Sequence, residues 1–271
     1  MTARWIGLLL VMLLSACSTT PTGRSQLMLV SPDAAVQASE AAYPKQLEKY
    51  RKEGKIDNDP AVVRRVKTIT GRLVAEAIKD YPHTRNWKWQ VVVIDDPEVV
   101  NAWCMAGGKM AVYTGLLNKV KPTDDELAQV MAHEISHAVA NHVAEQMSIA
   151  LASQIGLAVL SATALYDSRY RTAALTGAAL AATLAIELPY SRKAEAEADR
   201  IGIELAAKAG YDPYAAASLW EKMGKVNKHS VPEFLNTHPS SASRQATLKA
   251  LAPKMMKYYH PDAYHPVYQG L

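Results

Sequence analysis

The sequence predicts an α+β fold, mostly helical, with one small β-sheet. Three observations carry this reading. Apolar residues recur at helical spacing over long stretches, as at Val62, Val63, Val66, Ile69, Leu73 and Ala77. The run Trp87-Lys-Trp-Gln-Val-Val-Val-Ile94 is rich in β-formers and is closed by Asp95-Asp96-Pro97. Two further β-type runs, Asn101 to Met105 and Lys109 to Thr114, flank Ala106-Gly107-Gly108 and read as a hairpin.

In chain order, Arg4 precedes an apolar run from Trp5 to Leu14, too short for a lone membrane span and suited to a secretion signal. Leu14-Ser-Ala-Cys17 resembles the bacterial lipobox. That resemblance implies a signal peptide over residues 1–16, lipid on Cys17 and, with Ser18 following it, the periplasmic face of the outer membrane. Residues 17–58 are expected as a lipidated tether and helix: Ser18 to Pro32 is rich in Ser, Thr and Pro, and Asp33 to Lys52 is helical with a break at Pro44. Gly54 to Asn58 is a joint.

Asp59-Pro60 matches a cap followed by proline at the first helical position, so an amphipathic helix runs from Pro60 to Lys79 and opens a domain spanning 59–255. The hairpin that follows could offer an edge to which an extended peptide adds a strand. Thr123-Asp-Asp-Glu126 is a capping box that starts another helix at about Asp124. Met147 to Leu188 is rich in Ala, Leu, Ile and Gly, broken by Tyr166 to Arg171. Each half is shorter than the ~20 strongly apolar residues a span needs, so the stretch reads as a helical hairpin packed on the site or lidding it. Residues 256–271, rich in Pro, Tyr and His, read as a surface extension.

Composition excludes some classes. The net charge of +4 falls to +3 without Arg4, and the basic residues are scattered, so nucleic acid is not a partner. With Cys17 lipidated, Cys104 is the one remaining cysteine, which leaves no internal disulfide and a buried, inert thiol.

The chemistry concentrates in Gln129-Val-Met-Ala-His133-Glu134-Ile-Ser-His137-Ala-Val-Ala-Asn-His142. Residues four apart share a helix face, so His133 and His137 can hold one ion, and Glu134 can reach a water at that ion without ligating it. The pattern is that of metal-assisted hydrolysis. A third protein ligand is needed. The metzincin pattern is excluded, because Ala140 and Val143 stand where it requires glycine and histidine. Ser191-Arg-Lys-Ala-Glu195-Ala-Glu197-Ala-Asp199 can present Glu195 to the metal and Asp199 to the back of a ligand histidine, with Glu197 pointing into solvent. A charged surface helix accounts for the same run, and spacing alone does not choose.

Taken together, His-Glu-Ile-Ser-His, Ser191-Arg…Glu195-x-x-Ala198-Asp199 and Thr237-His238-Pro239-Ser240-Ser241…Arg244 resemble the HtpX and CAAX prenyl protease family of gluzincin metallopeptidases. Within it the likeness is to periplasmic lipoproteins of the LoiP and BepA type. It covers about Pro60 to Leu251 and includes Asn101-Ala-Trp with Gly107-Gly108. The resemblance implies a zincin-type metallopeptidase domain and an endopeptidase with one zinc per chain on His133, His137 and Glu195. Glu134 is then the general base and Asp199 supports a ligand histidine. His238 is expected to stabilise the oxyanion or to fill the open zinc position. Arg244 is expected to orient a carboxylate or bind substrate backbone, and His142 to be structural. Implied substrates are misfolded or misassembled envelope proteins. The alternative is a chaperone or assembly factor for outer-membrane proteins, with outer-membrane assembly components as partners and with latent or secondary proteolysis. A zinc hydrolase acting on a non-peptide bond is a further rival.

Overall fold

Strands that are apolar without interruption need cover on both faces, and that requirement organises the fold. The computed structural model describes residues 17–164, 189–226, 233–238 and 242–271. β3 (Gln90–Ile94), β4 (Ala102–Met105) and β5 (Lys109–Tyr113) form a sheet in the order β3-β5-β4. β5 runs parallel to β3 and antiparallel to β4. The hairpin therefore forms as the glycines predict, with Gly107 and Gly108 at φ 77 and 75 in its turn, and its second strand lies in the middle of the sheet.

Alternate residues feed two cores. Val91, Val93, Ala102, Cys104, Met110 and Val112 join the larger one with α3 (Pro60–Asp80) and α4 (Asp124–Val139). Val92, Ile94, Trp103, Met105, Ala111 and Tyr113 pack with α1 (Pro32–Gln46) and with the start of α5 (His142–Ala164). β3 begins at Gln90 rather than at Trp87, whose N–H closes a turn on the Thr84 carbonyl at 3.1 Å.

The expected break at Pro44 falls instead at Leu47, between α1 and α2 (Glu48–Lys52). Pro44 lies in the last turn of α1, where a missing N–H removes little of the helix. α4 starts at its capping box: Thr123 Oγ1 accepts from Glu126 N at 3.2 Å, and Thr123 N donates to Glu126 Oε2 at 2.8 Å. Glu126 also accepts from Ser218 and Lys222, which fixes α7 (Ala215–Lys225) beside the same end of α4.

α6 (Arg192–Lys208) packs along α4, followed by α7, the short α8 (Glu233–Thr237) and α9 (Ala242–Met255). Residues after α9 lie along α3, with Tyr268 N donating to Gly71 O at 3.0 Å and Lys67 reaching the Leu271 carbonyl at 2.9 Å.

The stretch Ser18 to Pro32 is not the tether its composition suggests. β1 (Cys17–Thr19) and β2 (Ser25–Leu27) pair as an antiparallel hairpin, and polar side chains at its turn find buried partners on α5 and α6. The proposed signal peptide, residues 1–16, lies outside the described residues, as do residues 165–188 of the apolar stretch. Among the described residues no helix is long and apolar enough to cross a membrane.

Candidate metal centre

Two helices and one short turn supply the centre. On α4, His133 and His137 stand one turn apart and bring their Nε2 atoms within 3.1 Å. On α6, Ser191 caps the helix by accepting from Ala194 N, which sets Glu195 in the first turn and Asp199 one turn on, on the same face. Glu195 lies 3.3 Å from His137 Nε2 through Oε1 and 3.5 Å from His133 Nε2 through Oε2. His238 follows α8, its N–H bonded to the Phe234 carbonyl and its ring stacked on Phe234. Its Nδ1 is 2.9 Å from Glu195 Oε1 and 3.3 Å from His133 Nε2.

Four donors are thus gathered, from His133, His137, Glu195 and His238, all buried and all within 4.8 Å of one another. Donors about 2.0–2.1 Å from a tetrahedral zinc stand roughly 3.3 Å apart. The separations here, 2.9 to 3.5 Å, match. The outer nitrogens of two of the histidines have neighbours of their own. His133 turns Nδ1 to Asp199 Oδ1 at 3.1 Å, and His137 turns Nδ1 to His142 Nδ1 at 2.9 Å. With a metal bound, each ring would carry its proton on the outer nitrogen and offer the inner nitrogen as a ligand beside the Glu195 carboxylate. Imidazole nitrogens converging with a carboxylate in a buried site are a donor set that suits zinc.

Arg244, on α9, grips the carboxylates from behind. Its Nε and Nη2 each lie 2.7 Å from an Asp199 oxygen, and Nη1 lies 2.6 Å from Glu195 Oε2. Its guanidinium also sits 4.4 Å over the Trp220 ring. Of the two roles open to Arg244 in the sequence, the fork is engaged with carboxylates of the site.

Glu134 stands beside the donors, with Oε1 3.2 Å from His238 Nε2. Asn101, Trp103 and Met105 of the β4 edge, with Tyr190 and His238, line a narrow cleft that reaches it. Burial raises the Glu134 pKa above the ordinary carboxylate value, opposed by His238 and His133. Burial would lower His133, yet Asp199 and Glu195 outweigh it and raise its pKa to about 9. Burial drives His137 well down despite Glu195. Glu195 is held far below the usual carboxylate range, because the three histidines around it, His133 foremost, outweigh burial.

One expectation changes on the structure. Glu197 is not solvated: it is buried, accepting from His142 Nε2 at 3.1 Å and from Arg24 Nε at 2.7 Å, with a short bond from Thr22. A helix that is covered on more than one side leaves it nowhere to point but inward. His142, read as structural, holds the outer nitrogen of a zinc-ligand candidate. Tyr190 was not singled out in the sequence. Its ring stacks on His137 with centroids 3.8 Å apart, and no pattern of spacing marks it. Cys17 lies in β1, and Cys104 is a buried free thiol.

The model of peptidase family M48 matches residues 60–252. The chain is 36% identical over 245 residues to the mitochondrial metalloendopeptidase OMA1 of Bos taurus, covering 87% of this chain and 46% of that protein. It is 42% identical over 166 residues to the mitochondrial metalloendopeptidase OMA1 of Arabidopsis thaliana, covering 61% of this chain and 32% of that protein. The β-barrel assembly-enhancing protease of Escherichia coli is 31% identical over 204 residues, covering 73% of this chain and 40% of that protein. The chain thus spans less than half the length of each of these three curated relatives.

Proposed function

The chain belongs to peptidase family M48, and from that premise we propose that it is a zinc-dependent endopeptidase with zinc held by His133, His137 and Glu195, and with His238 at the fourth position in the resting state. The observation that carries this reading is the buried set of four donors at zinc spacing with Glu134 beside it.

When bound, zinc supplies a Lewis acid for the scissile carbonyl and brings the pKa of the attacking water toward ~7. Glu134 takes the proton from that water and delivers it to the leaving amine, and a carboxylate whose pKa is raised by burial is better matched to both transfers. An extended substrate adds along β4, an edge strand of the sheet, whose residues line the cleft to Glu134. His238 must leave the donor set for a carbonyl oxygen to enter. Asp199 and Arg244 hold the ligands in place and stay clear of the reacting atoms.

The finer likeness, to periplasmic lipoproteins of the HtpX and CAAX prenyl protease branch, rests on Leu14-Ser-Ala-Cys17 and on the three ordered motifs. It is supported by the similarity to the Escherichia coli protease. On this reading Cys17 carries the lipid anchor at the outer membrane, and the substrates are misfolded or misassembled envelope proteins. The similarity to that β-barrel assembly-enhancing protease also favours the second reading, a β-barrel assembly factor with proteolysis held latent.

The test uses the soluble chain starting at Ser18, as wild type and as Glu134→Gln. We expect one zinc in each and casein cleavage by the wild type that falls at least about a hundredfold in the variant. Well-folded protein without zinc, or equal cleavage by both, would overturn the proposal. An assembly function that survives Glu134→Gln would favour the second reading.

A further inference from the structure

Behind the metal centre runs a line of hydrogen bonds that leaves α4 and ends in the N-terminal hairpin. His137 Nδ1 lies 2.9 Å from His142 Nδ1, and His142 Nε2 lies 3.1 Å from Glu197 Oε2. Glu197 in turn receives Arg24 Nε at 2.7 Å and Thr22 Oγ1. Arg24 spends its other two nitrogens on both oxygens of Glu145, at 2.7 and 2.6 Å. His137, His142 and Glu197 are buried, Arg24 and Glu145 are largely covered, and 173 residues separate Arg24 from Glu197.

The proton positions along this line follow from the donor and acceptor inventory. Arg24 has only donors, so the carboxylate of Glu197 is ionised and accepts. His142 must then carry its proton on Nε2, which leaves Nδ1 as an acceptor. A histidine facing that acceptor must carry its own proton on Nδ1, and only then is the Nε2 of His137 a free lone pair. Reversing any one member would set two protons, or two lone pairs, against each other at about 3 Å.

The same hairpin is fastened at the end of the metal helix. Gln26, on β2, is buried and donates to the Ala140 carbonyl at 2.8 Å and to Glu145 at 3.0 Å. Ala140 is the C-terminal cap of α4, and the left-handed Asn141 (φ 59) then turns the chain into α5. Val30 N donates to Ser148 Oγ on α5 at 2.9 Å. The hairpin therefore grips both the helix that carries His137 and the one that carries His142.

We propose that the β1–β2 hairpin is a positioning element of the metal centre, in which Arg24 acts through Glu197 and His142 to fix the tautomer and ring orientation of His137. The proposal rests on the zinc site described above. It assigns a task to the first residues after Cys17: the segment nearest the proposed lipid anchor holds a metal ligand in register. Arg24 and Glu197 are positioning residues and touch no reacting atom.

Zinc affinity by chelator competition, the visible spectrum of the cobalt-substituted protein and imidazole ¹⁵N shifts test this without recourse to proteolysis. In wild type, the ¹⁵N shifts should report the proton of His142 on Nε2 and that of His137 on Nδ1. Arg24→Ala should lower zinc affinity about tenfold and shift the cobalt bands. Glu197→Gln, which keeps the shape and an acceptor, should do so less and guards against loss of folding in the first variant. In a His142→Ala background, Arg24→Ala should add no further loss of affinity, because its route to the ligand is already cut. Unchanged affinity and spectrum in folded Arg24→Ala, additive losses in the double variant, or a His142 proton on Nδ1 would overturn the proposal. Wild-type protein that binds neither metal would instead overturn the zinc reading itself.

Discussion

Gly202 backs directly onto His133: a methyl group there would stand 3.1 Å from the His133 backbone nitrogen and 3.2 Å from Ala132 C and His133 Cα. Glu195, Asp199 and Gly202 share a face of α6, so the glycine sets how near the two carboxylates come to the histidines.

Gly202→Ala should therefore push α6 from α4 by a few tenths of an ångström. We expect a loss of about 1–3 kcal/mol from overpacking and weaker zinc binding, measured by thermal melts with and without chelator. Equal melting temperatures and equal zinc affinity in both proteins would show that the helices absorb the methyl without moving the ligands.

That glycine also marks where the sequence stops being legible. His133, Glu134 and His137 announce themselves because one helix carries them, and their spacing is their geometry. Glu195 and Asp199 have the right spacing, but only a partner helix distinguishes them from a charged surface run. The hairpin was legible through Gly107-Gly108; the central place of β5 was not, because strand order is a long-range property. Gly202 carries a weak signal, a glycine inside a helical pattern, which implies close packing without saying against what. Arg24 carries none. Its partners lie 121 and 173 residues away, and a Ser/Thr/Pro-rich context argues for a tether.

Acidity should oppose zinc through His133. Asp199 and Glu195 outweigh burial and raise its pKa from 6.5 to about 9. A raised native pKa stabilises the metal-free protein fully below 6.5, and that contribution is lost as the pH climbs through 9. Zinc must displace the same proton, so its affinity rises over this window by up to about tenfold per pH unit. The gain in melting temperature on adding zinc should grow steadily from pH 6.5 to 9. A gain that stays flat across that range would show that His133 holds no such proton.

Arg244 separates positioning from catalysis. Arg244→Met removes the guanidinium that faces Asp199 and Glu195 and leaves two buried carboxylates without it. Breaking a buried pair in this way costs about 3–5 kcal/mol, which denaturant unfolding would measure. Arg244→Lys should recover only part of this, because an ammonium cannot span three oxygens as the fork does. Full recovery by lysine would mean that charge alone matters there.

His238 decides whether the resting enzyme is closed. Its Nδ1 lies among the zinc donors and its Nε2 lies 3.2 Å from Glu134 Oε1, so one ring fills the position a substrate carbonyl needs and engages the base as well. His238→Ala removes both obstructions and leaves His133, His137 and Glu195, the three protein ligands of a catalytic zinc site. Zinc should bind more weakly, yet peptide cleavage per bound zinc should rise. An oxyanion role makes the opposite demand: loss of a donor that stabilises the developing charge lowers turnover by about 10²–10³-fold. Cleavage of one fluorogenic peptide at saturating zinc therefore gives different signs for the two roles. A faster variant identifies His238 as a latch, and a slower one makes it part of the catalytic apparatus and removes the closed resting state from the proposed mechanism.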